Sequence, residues 1–204
     1  MNAPQNRDCP VEDIEIIKFS DASEKSAKDF DCGIKDLNDF LADDALQQQN
    51  ESVNLTYLWT AKKQGVLLGY ITVCNDSIHL FGEKKAEMKK IGISYKALPA
   101  LKICRMAVSN NHARKGLGTK MIAFAINRVL KINEVSGCRF LTLEAKNDPS
   151  LPEEQKPIHF YKKLGFMVIK ERKPNASYIP MYKDLQPVIK EAIARDGKKT
   201  FGSL

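Results

Sequence analysis

Gly116-Leu117-Gly118 stands between a polar loop, Ser109 to Lys115, and a long apolar-periodic segment. An apolar run from Leu101 to Val108 precedes the loop and reads as a strand. This order puts glycines and unpaired backbone amides at the start of a helix, where the dipole and the N–H groups favour an anion. Glycine also lets the backbone approach a bulky ligand without a Cβ in the way. The expected chemistry is the binding of a phosphate-bearing ligand on a strand–loop–helix turn. No metal site is expected. Cys9, Cys32, Cys74, Cys104 and Cys138 are odd in number and widely spaced, and His79, His112 and His159 do not cluster. The cysteines read as small buried hydrophobes in a reducing compartment.

Such a turn has to be held by strands and helices, and the flanking sequence supplies candidates. After a loose polar lead-in over residues 1–12, Ile14 to Phe19 reads as a first strand. Asp29 to Gly33 introduces a helix in which Ile34, Leu37, Leu41, Ala45 and Leu46 make one apolar stripe. Residues 55–62 and 66–74 form an expected antiparallel hairpin around Gln64-Gly65, with 78–81 continuing the sheet. Gly69 inside the second run signals a bulge or a close backbone approach. Residues 82–98, which include Lys84, Lys85, Lys89, Lys90 and Lys96, read either as a solvated helix or loop or as an acceptor-binding loop. Beyond the glycine turn, Leu117, Met121, Phe124, Ala125, Val129 and Ile132 trace a helical stripe. A strand at 139–145, a loop at 147–157 and a short helix at 158–164 stopped by Gly165 come next. Strands at 166–170 and 178–183 close the sheet, and a helical pattern past Leu185 ends in a basic tail.

A chain of 204 residues is long enough for one domain with a substantial core. Its composition is that of a globular protein, and no apolar run is long enough to span a bilayer. The N-terminus lacks the basic-then-apolar layout of a secretory signal, so the expected location is cytoplasmic. Lys and Arg outnumber Asp and Glu by 32 to 25, and a net charge of +7 allows a polyanionic partner without requiring one. Three segments are expected: 1–12 as a flexible N-terminus, 13–184 as the single mixed α/β domain, and 185–204 as a helical, basic extension.

A strand followed by Arg114-Lys115-Gly116-Leu117-Gly118 at a helix start, and then Phe160-Tyr161 and Gly165-Phe166 some forty residues on, resembles the GNAT family of acetyl-CoA-dependent N-acetyltransferases. The family's cofactor motif has Gln or Arg, two variable residues, Gly, one variable residue, then Gly or Ala. Both glycines match, and Ala113 stands where the Gln or Arg is expected. Phe30-Asp31-Cys32-Gly33 with Leu37-Asn38 and Phe40-Leu41, together with Arg105-Met106-Ala107-Val108, is similar to the toxin-type branch of that family. The resemblance implies an α/β (α+β) fold, a central mixed, mostly antiparallel sheet flanked by helices on both faces. It implies acetyl-CoA as cofactor and direct transfer to a primary amine in a ternary complex. For the toxin-type branch it further implies the α-amine of aminoacyl-tRNA as acceptor, a homodimer, and a ribbon-helix-helix antitoxin as partner. The alternatives are a housekeeping enzyme acting on a small amine or a protein N-terminus, and a non-catalytic acyl-CoA-binding module.

The resemblance also assigns roles. Ala107 and Val108 would present main-chain groups to the pantetheine arm and acetyl carbonyl, which stabilises the developing oxyanion. Ala113, Arg114, Lys115, Gly116, Leu117, Gly118 and Thr119 would wrap the pyrophosphate, and Asn147 would touch the cofactor. Tyr161 would be the general acid that protonates the departing thiolate. Glu144 is the candidate base; strand alternation leaves open that it points outward as a surface carboxylate only, in which case ordered water suffices. Arg105, among apolar neighbours, is either structurally paired or turned toward the acceptor.

Overall fold

The computed structural model describes residues 13–152, 156–169 and 176–200. In chain order it runs β1 (Ile14–Lys18), α1 (Glu24–Lys28), α2 (Lys35–Asp39), α3 (Ala45–Asn50), β2 (Leu55–Ala61), β3 (Leu67–Ile78) and α4 (Gly82–Lys90). Then come β4 (Leu98–Val108), α5 (Leu117–Ile132), β5 (Phe140–Lys146), α6 (Pro157–Lys163), β6 (Met167–Val168), β7 (Tyr178–Asp184) and α7 (Gln186–Thr200). The strands make one seven-stranded sheet in the order β1-β2-β3-β4-β5-β7-β6. β1–β2, β5–β7 and β6–β7 are antiparallel, and β4–β5 is parallel, with Ala100 opposite Phe140 and Ile103 opposite Leu143. A parallel pair needs a crossover, and α5 provides it. This is the mixed, mostly antiparallel α/β sheet expected. The expected N-terminal lead-in, residues 1–12, lies outside the described residues, as do Lys170 of the expected sixth strand and residues 153–155 of the expected loop.

The described residues form two compact units, those of 13–72 with 105–121, and those of 73–104 with 122–200; β3, β4 and α5 each contribute to both. In the first unit, Phe19, Phe30, Phe40, Leu41, Leu58 and Tyr70 form the core. Helical backbone is continuous from Lys35 to Asn50, but residues 40–44 make a wider π turn between α2 and α3. The wider turn rotates the inward face, so the expected stripe is corrected in one place. Ile34 is 40% exposed as the extended residue preceding α2, and Phe40 is buried beside Leu41 and Ala45 instead. α1 went unseen because its five residues, EKSAK, bury only Ala27. Thr56 and Thr72 share a buried hydroxyl–hydroxyl hydrogen bond of 2.8 Å, so neither oxygen goes unsatisfied.

In the second unit, Ile78, Leu80, Met88, Leu98, Phe140 and Tyr182 pack together. β5 is buried on both faces from Phe140 to Leu143, as befits an interior strand. The sheet does not extend to Phe81. β3 stops at Ile78, Leu80 turns into the core, and Phe81 becomes the extended residue ahead of α4. Arg139 grips Asp184 with two hydrogen bonds, Nε–Oδ1 at 2.9 Å and Nη2–Oδ2 at 2.7 Å, and Lys84 pairs with the same carboxylate at 2.7 Å. Asp184 Oδ1 also accepts the Gln186 amide at 3.0 Å, which caps α7. Burial alone would raise the Asp184 pKa, but the bonds from Arg139, Lys84 and Gln186 outweigh it and hold the carboxyl near 2.

Candidate active site

In the first unit, the turn after β4 is built almost wholly from main chain. Ser109, at the end of the strand, donates its amide to Leu68 O at 2.9 Å, and its hydroxyl lies 3.0 Å from His112 Nδ1. A short 3₁₀ turn, Asn110–His112, leads to extended Ala113. Arg114 and Gly116 then take left-handed backbone, φ 61° and 80°, before α5 begins at Leu117. Left-handed residues alternating along a turn tip successive amides toward one side, making a concavity that suits an anion. The first turn of α5 adds amides that helix geometry leaves without intrahelical partners. A Cβ at Gly116 would meet nothing within 4 Å, so the backbone angle alone calls for glycine there. Arg114 adopts that angle without being glycine, a strained state costing about 1–3 kcal/mol of the kind that collects at ligand clamps. Ala113 is exposed and extended, so its short side chain does not interrupt the turn. Arg114, Lys115 and Thr119 are exposed around it. These features fit a pyrophosphate. His112 is held below the usual imidazole range, by desolvation first and by Lys115 second, so it is neutral at pH 7.

The strand leading into this turn is set by Gly69. A Cβ there would sit 2.5 Å from Ala107 O, 2.7 Å from Met121 Cε and 3.2 Å from Val108 Cα. The close backbone approach expected of Gly69 is therefore made against the two residues expected to meet the thioester. Ala107 is buried and Val108 half-buried.

A set of contacts that sequence reasoning missed ties the N-terminal helices to the same turn. Asp31 Oδ1 accepts the Gly33 amide at 2.8 Å and Asn38 Nδ2 at 2.9 Å, and Asp31 Oδ2 accepts Asn110 Nδ2 at 3.2 Å. The Asn110 amide donates to Asp31 O at 3.1 Å. The Gly33 amide and the Asn38 side chain keep the Asp31 carboxyl below its ordinary range, so it is fully ionised. Asp31, Gly33 and Asn38 carry the motif that resembles toxin-type relatives, and its partner, Asn110, lies 79 residues from Asp31. No local spacing could have announced that. A cavity of about 360 Å³ opens here, lined among others by Asp29, Asp31, Val66, Asn110 and His112. Arg105 is exposed, with its guanidinium 5.3 Å from the centroid of the Phe40 ring, a cation–π contact. Tyr70, fully buried beneath Phe30 and Phe40, donates its hydroxyl to Leu37 O at 2.8 Å, and burial keeps it protonated.

In the second unit, Tyr161 lies on α6, which packs on β5, the strand carrying Glu144. The Tyr161 ring makes edge contacts with Phe160 at 5.1 Å and Phe166 at 5.7 Å between centroids. The residue keeps partial exposure, yet its phenol is enclosed by protein, and desolvation pushes its pKa up to about 12. It is a protonated donor throughout the physiological range. α6 ends where expected, at left-handed Gly165 (φ 81°), and Lys183 Nζ covers the freed Leu164 carbonyl at 2.7 Å. Glu144 is 53% exposed, and its carboxylate is 3.5 Å from Lys102 Nζ. Asn147 donates from its side chain to Ala176 O at 3.0 Å and from its amide to Ser177 O at 2.7 Å, fastening the chain ahead of β7. Among the described residues no cluster of His, Cys, Asp and Glu could hold a metal ion, and no helix is long and apolar enough to cross a membrane.

Residues 54–168 match the family model of the acetyltransferase (GNAT) domain, a span from β2 to β6 that contains the glycine turn and Tyr161. The chain belongs to the GNAT acetyltransferases. This GNAT chain is an acetyl-CoA-dependent N-acetyltransferase. No curated protein matches its sequence. Among solved structures it is similar to a tyrosine-to-phenylalanine mutant of KacT, 23% identical over 89% of this chain and 99% of that one, with a TM-score of 0.71. It is similar to AtaT complexed with acetyl-methionyl-tRNAfMet, 24% identical over 86% and 97% of the two chains, TM-score 0.68. It is also similar to AtaTR bound with acetyl-CoA, 25% identical over 89% and 98%, TM-score 0.67. The shared fold extends over nearly the full length of each.

Proposed function

We infer that this enzyme acetylates the α-amine of the amino acid on charged tRNA, acting as the toxin of a toxin–antitoxin pair. The observation that carries this reading is the fold likeness to AtaT, whose structure was solved with acetyl-methionyl-tRNAfMet. The Asp31–Asn38–Asn110 network supports it, because the toxin-type motif is joined by hydrogen bonds to the loop that precedes the cofactor turn. A net charge of +7 suits an RNA acceptor.

Acetyl-CoA supplies the activated acetyl group. The amides of Gly116 to Thr119 and the cations of Arg114 and Lys115 hold its pyrophosphate. Main-chain groups of Ala107 and Val108 bind the thioester region, where an N–H opposite the carbonyl stabilises negative charge as it develops. The hydroxyl of Tyr161 gives its proton to the sulfur as the thiolate departs. The amine loses its proton to water, with Glu144, solvated and beside Lys102, as the carboxylate proposed for a relay. Asn147 serves the cofactor through its carbonyl oxygen while its NH₂ holds Ala176 O. The transferase is residues 13–184 with the 185–204 extension, it works as a homodimer, and its partner in the cell is a ribbon-helix-helix antitoxin; a solved AtaT structure includes the C-terminus of the antitoxin AtaR.

Expression of the chain alone tests the reading. It should arrest translation, and the purified protein should transfer labelled acetyl from acetyl-CoA to aminoacyl-tRNA. Undisturbed growth, with transfer only to small amines or peptide N-termini, would assign the enzyme a housekeeping acceptor instead.

A further inference from the structure

Cys74 on β3 and Cys104 on β4 sit on neighbouring strands with their sulfurs 3.1 Å apart. Both are free thiols, and both are only half-buried, so a small solute can reach them. The hydrogen bond that Cys104 donates to the Cys74 sulfur is the main reason the Cys74 thiol falls to about 7. Burial and Asp76 oppose the shift, and the Lys102 ammonium assists it. Much of Cys74 is therefore thiolate at neutral pH, the form that attacks electrophiles. The other described cysteines differ. Cys138 is 4% exposed, and burial pushes it up to about 11. Cys32 is raised by burial and donates its S–H to Asn38 Oδ1 at 3.1 Å. The sulfurs of the pair need to close by only about 1 Å to reach bonding distance, a movement within reach of side-chain rotation.

We propose that Cys74 and Cys104 are a reversible dithiol–disulfide site, oxidised by low-molecular-weight disulfides of the glutathione class. The Cys74 thiolate attacks one sulfur of the oxidant, whose S–S bond breaks and releases one small thiolate that takes a proton from water. Cys104 then gives its proton to solvent and attacks the Cys74 sulfur of the mixed disulfide, expelling the second small thiol. Two protein thiols become one S–S bond, and two electrons reduce the oxidant to two thiols. Cys74 is the thiol of the pair whose ionisation the neighbouring S–H favours, so it attacks first. The cross-link joins β3 to the strand that runs on to Ala107 and Val108, and it forms whatever the acceptor of acetyl transfer is.

The full chain, equilibrated in buffers from reduced to oxidised glutathione and quenched by alkylation, tests this. The expected result is two fewer alkylatable thiols out of five, a linked Cys74–Cys104 peptide on mass mapping, and full reversal by dithiothreitol. A Cys104→Ser protein that melts like the parent should stop at a glutathione adduct on Cys74. In the reduced parent, iodoacetamide at pH 7 should modify Cys74 at least tenfold faster than Cys138. Both cysteines remaining alkylatable across the whole series, or a disulfide joining any other pair, would overturn the proposal.

Discussion

A phenol with a pKa near 12 has one use in proton transfer near neutrality, which is to give its proton away. Replacing Tyr161 with Phe keeps the ring contacts to Phe160 and Phe166 and removes only the acid. We expect kcat to fall on the order of 10²–10⁴-fold while calorimetry finds acetyl-CoA binding little changed. Full turnover in Tyr161→Phe would remove the proposed role. The pH dependence has a definite sign. Folding raises the Tyr161 pKa from 10.0 to about 12, so the protonated form is favoured in the native state. The associated stability is complete below pH 10 and is lost as pH climbs through 12. Accordingly, the pH–rate profile should show no falling limb from this residue below about pH 11. The placement of Tyr161 on a short helix was legible because its motif is local, four residues ahead of the glycine that ends that helix. Asn110 was not, since what gives it meaning is Asp31, far away in sequence and close only after folding.

Two glycines beside the cofactor strand separate steric from conformational demands. Gly69→Ala pushes a methyl into Ala107 O and Met121, and both must move, so a loss of about 1–3 kcal/mol is expected together with weaker acetyl-CoA binding. Gly116→Ala meets no atom and loses only what a left-handed alanine costs, about 1–2 kcal/mol. Urea unfolding of the two variants, with acetyl-CoA titrations, would show whether crowding at β3 is felt in the turn. The second-unit network makes a separate prediction. Asp184 is 11% exposed and falls from 3.8 to about 2, so it contributes about 2 kcal/mol that is present above pH 4 and disappears as pH drops toward 2. Asp184→Asn should melt lower at pH 7 and approach the parent near pH 2 in a calorimetric pH series. Strands and the long α5 were readable from period and turn residues, because burial repeats along them. The five-residue α1 and the π turn were not, since one is too short to show a period and the other breaks it.

At the scale of the whole molecule, the excess of seven positive charges bears on the acceptor. If tRNA is the acceptor, KM for aminoacyl-tRNA should climb steeply between roughly 50 and 200 mM salt, while kcat and transfer to a small neutral amine change far less. A KM indifferent to salt would count against an RNA acceptor. The fold class was recoverable from the order of strands and helices, but the strand order was not, because β7 lies between β5 and β6 and nothing in the sequence marks that insertion. The insertion has a consequence for a chain leaving the ribosome. The strand that follows Tyr161 reaches the sheet only through a strand made later, with Met167 opposite Tyr182 and Val168 opposite Met181. Synthesis of the tyrosine thus precedes its anchorage, and a nascent polypeptide cut short after residue 175 would contain every proposed chemical group yet lack the edge on which the last of them is secured. Activity should arrive late in translation, in one step, when Tyr178 to Asp184 slides into place.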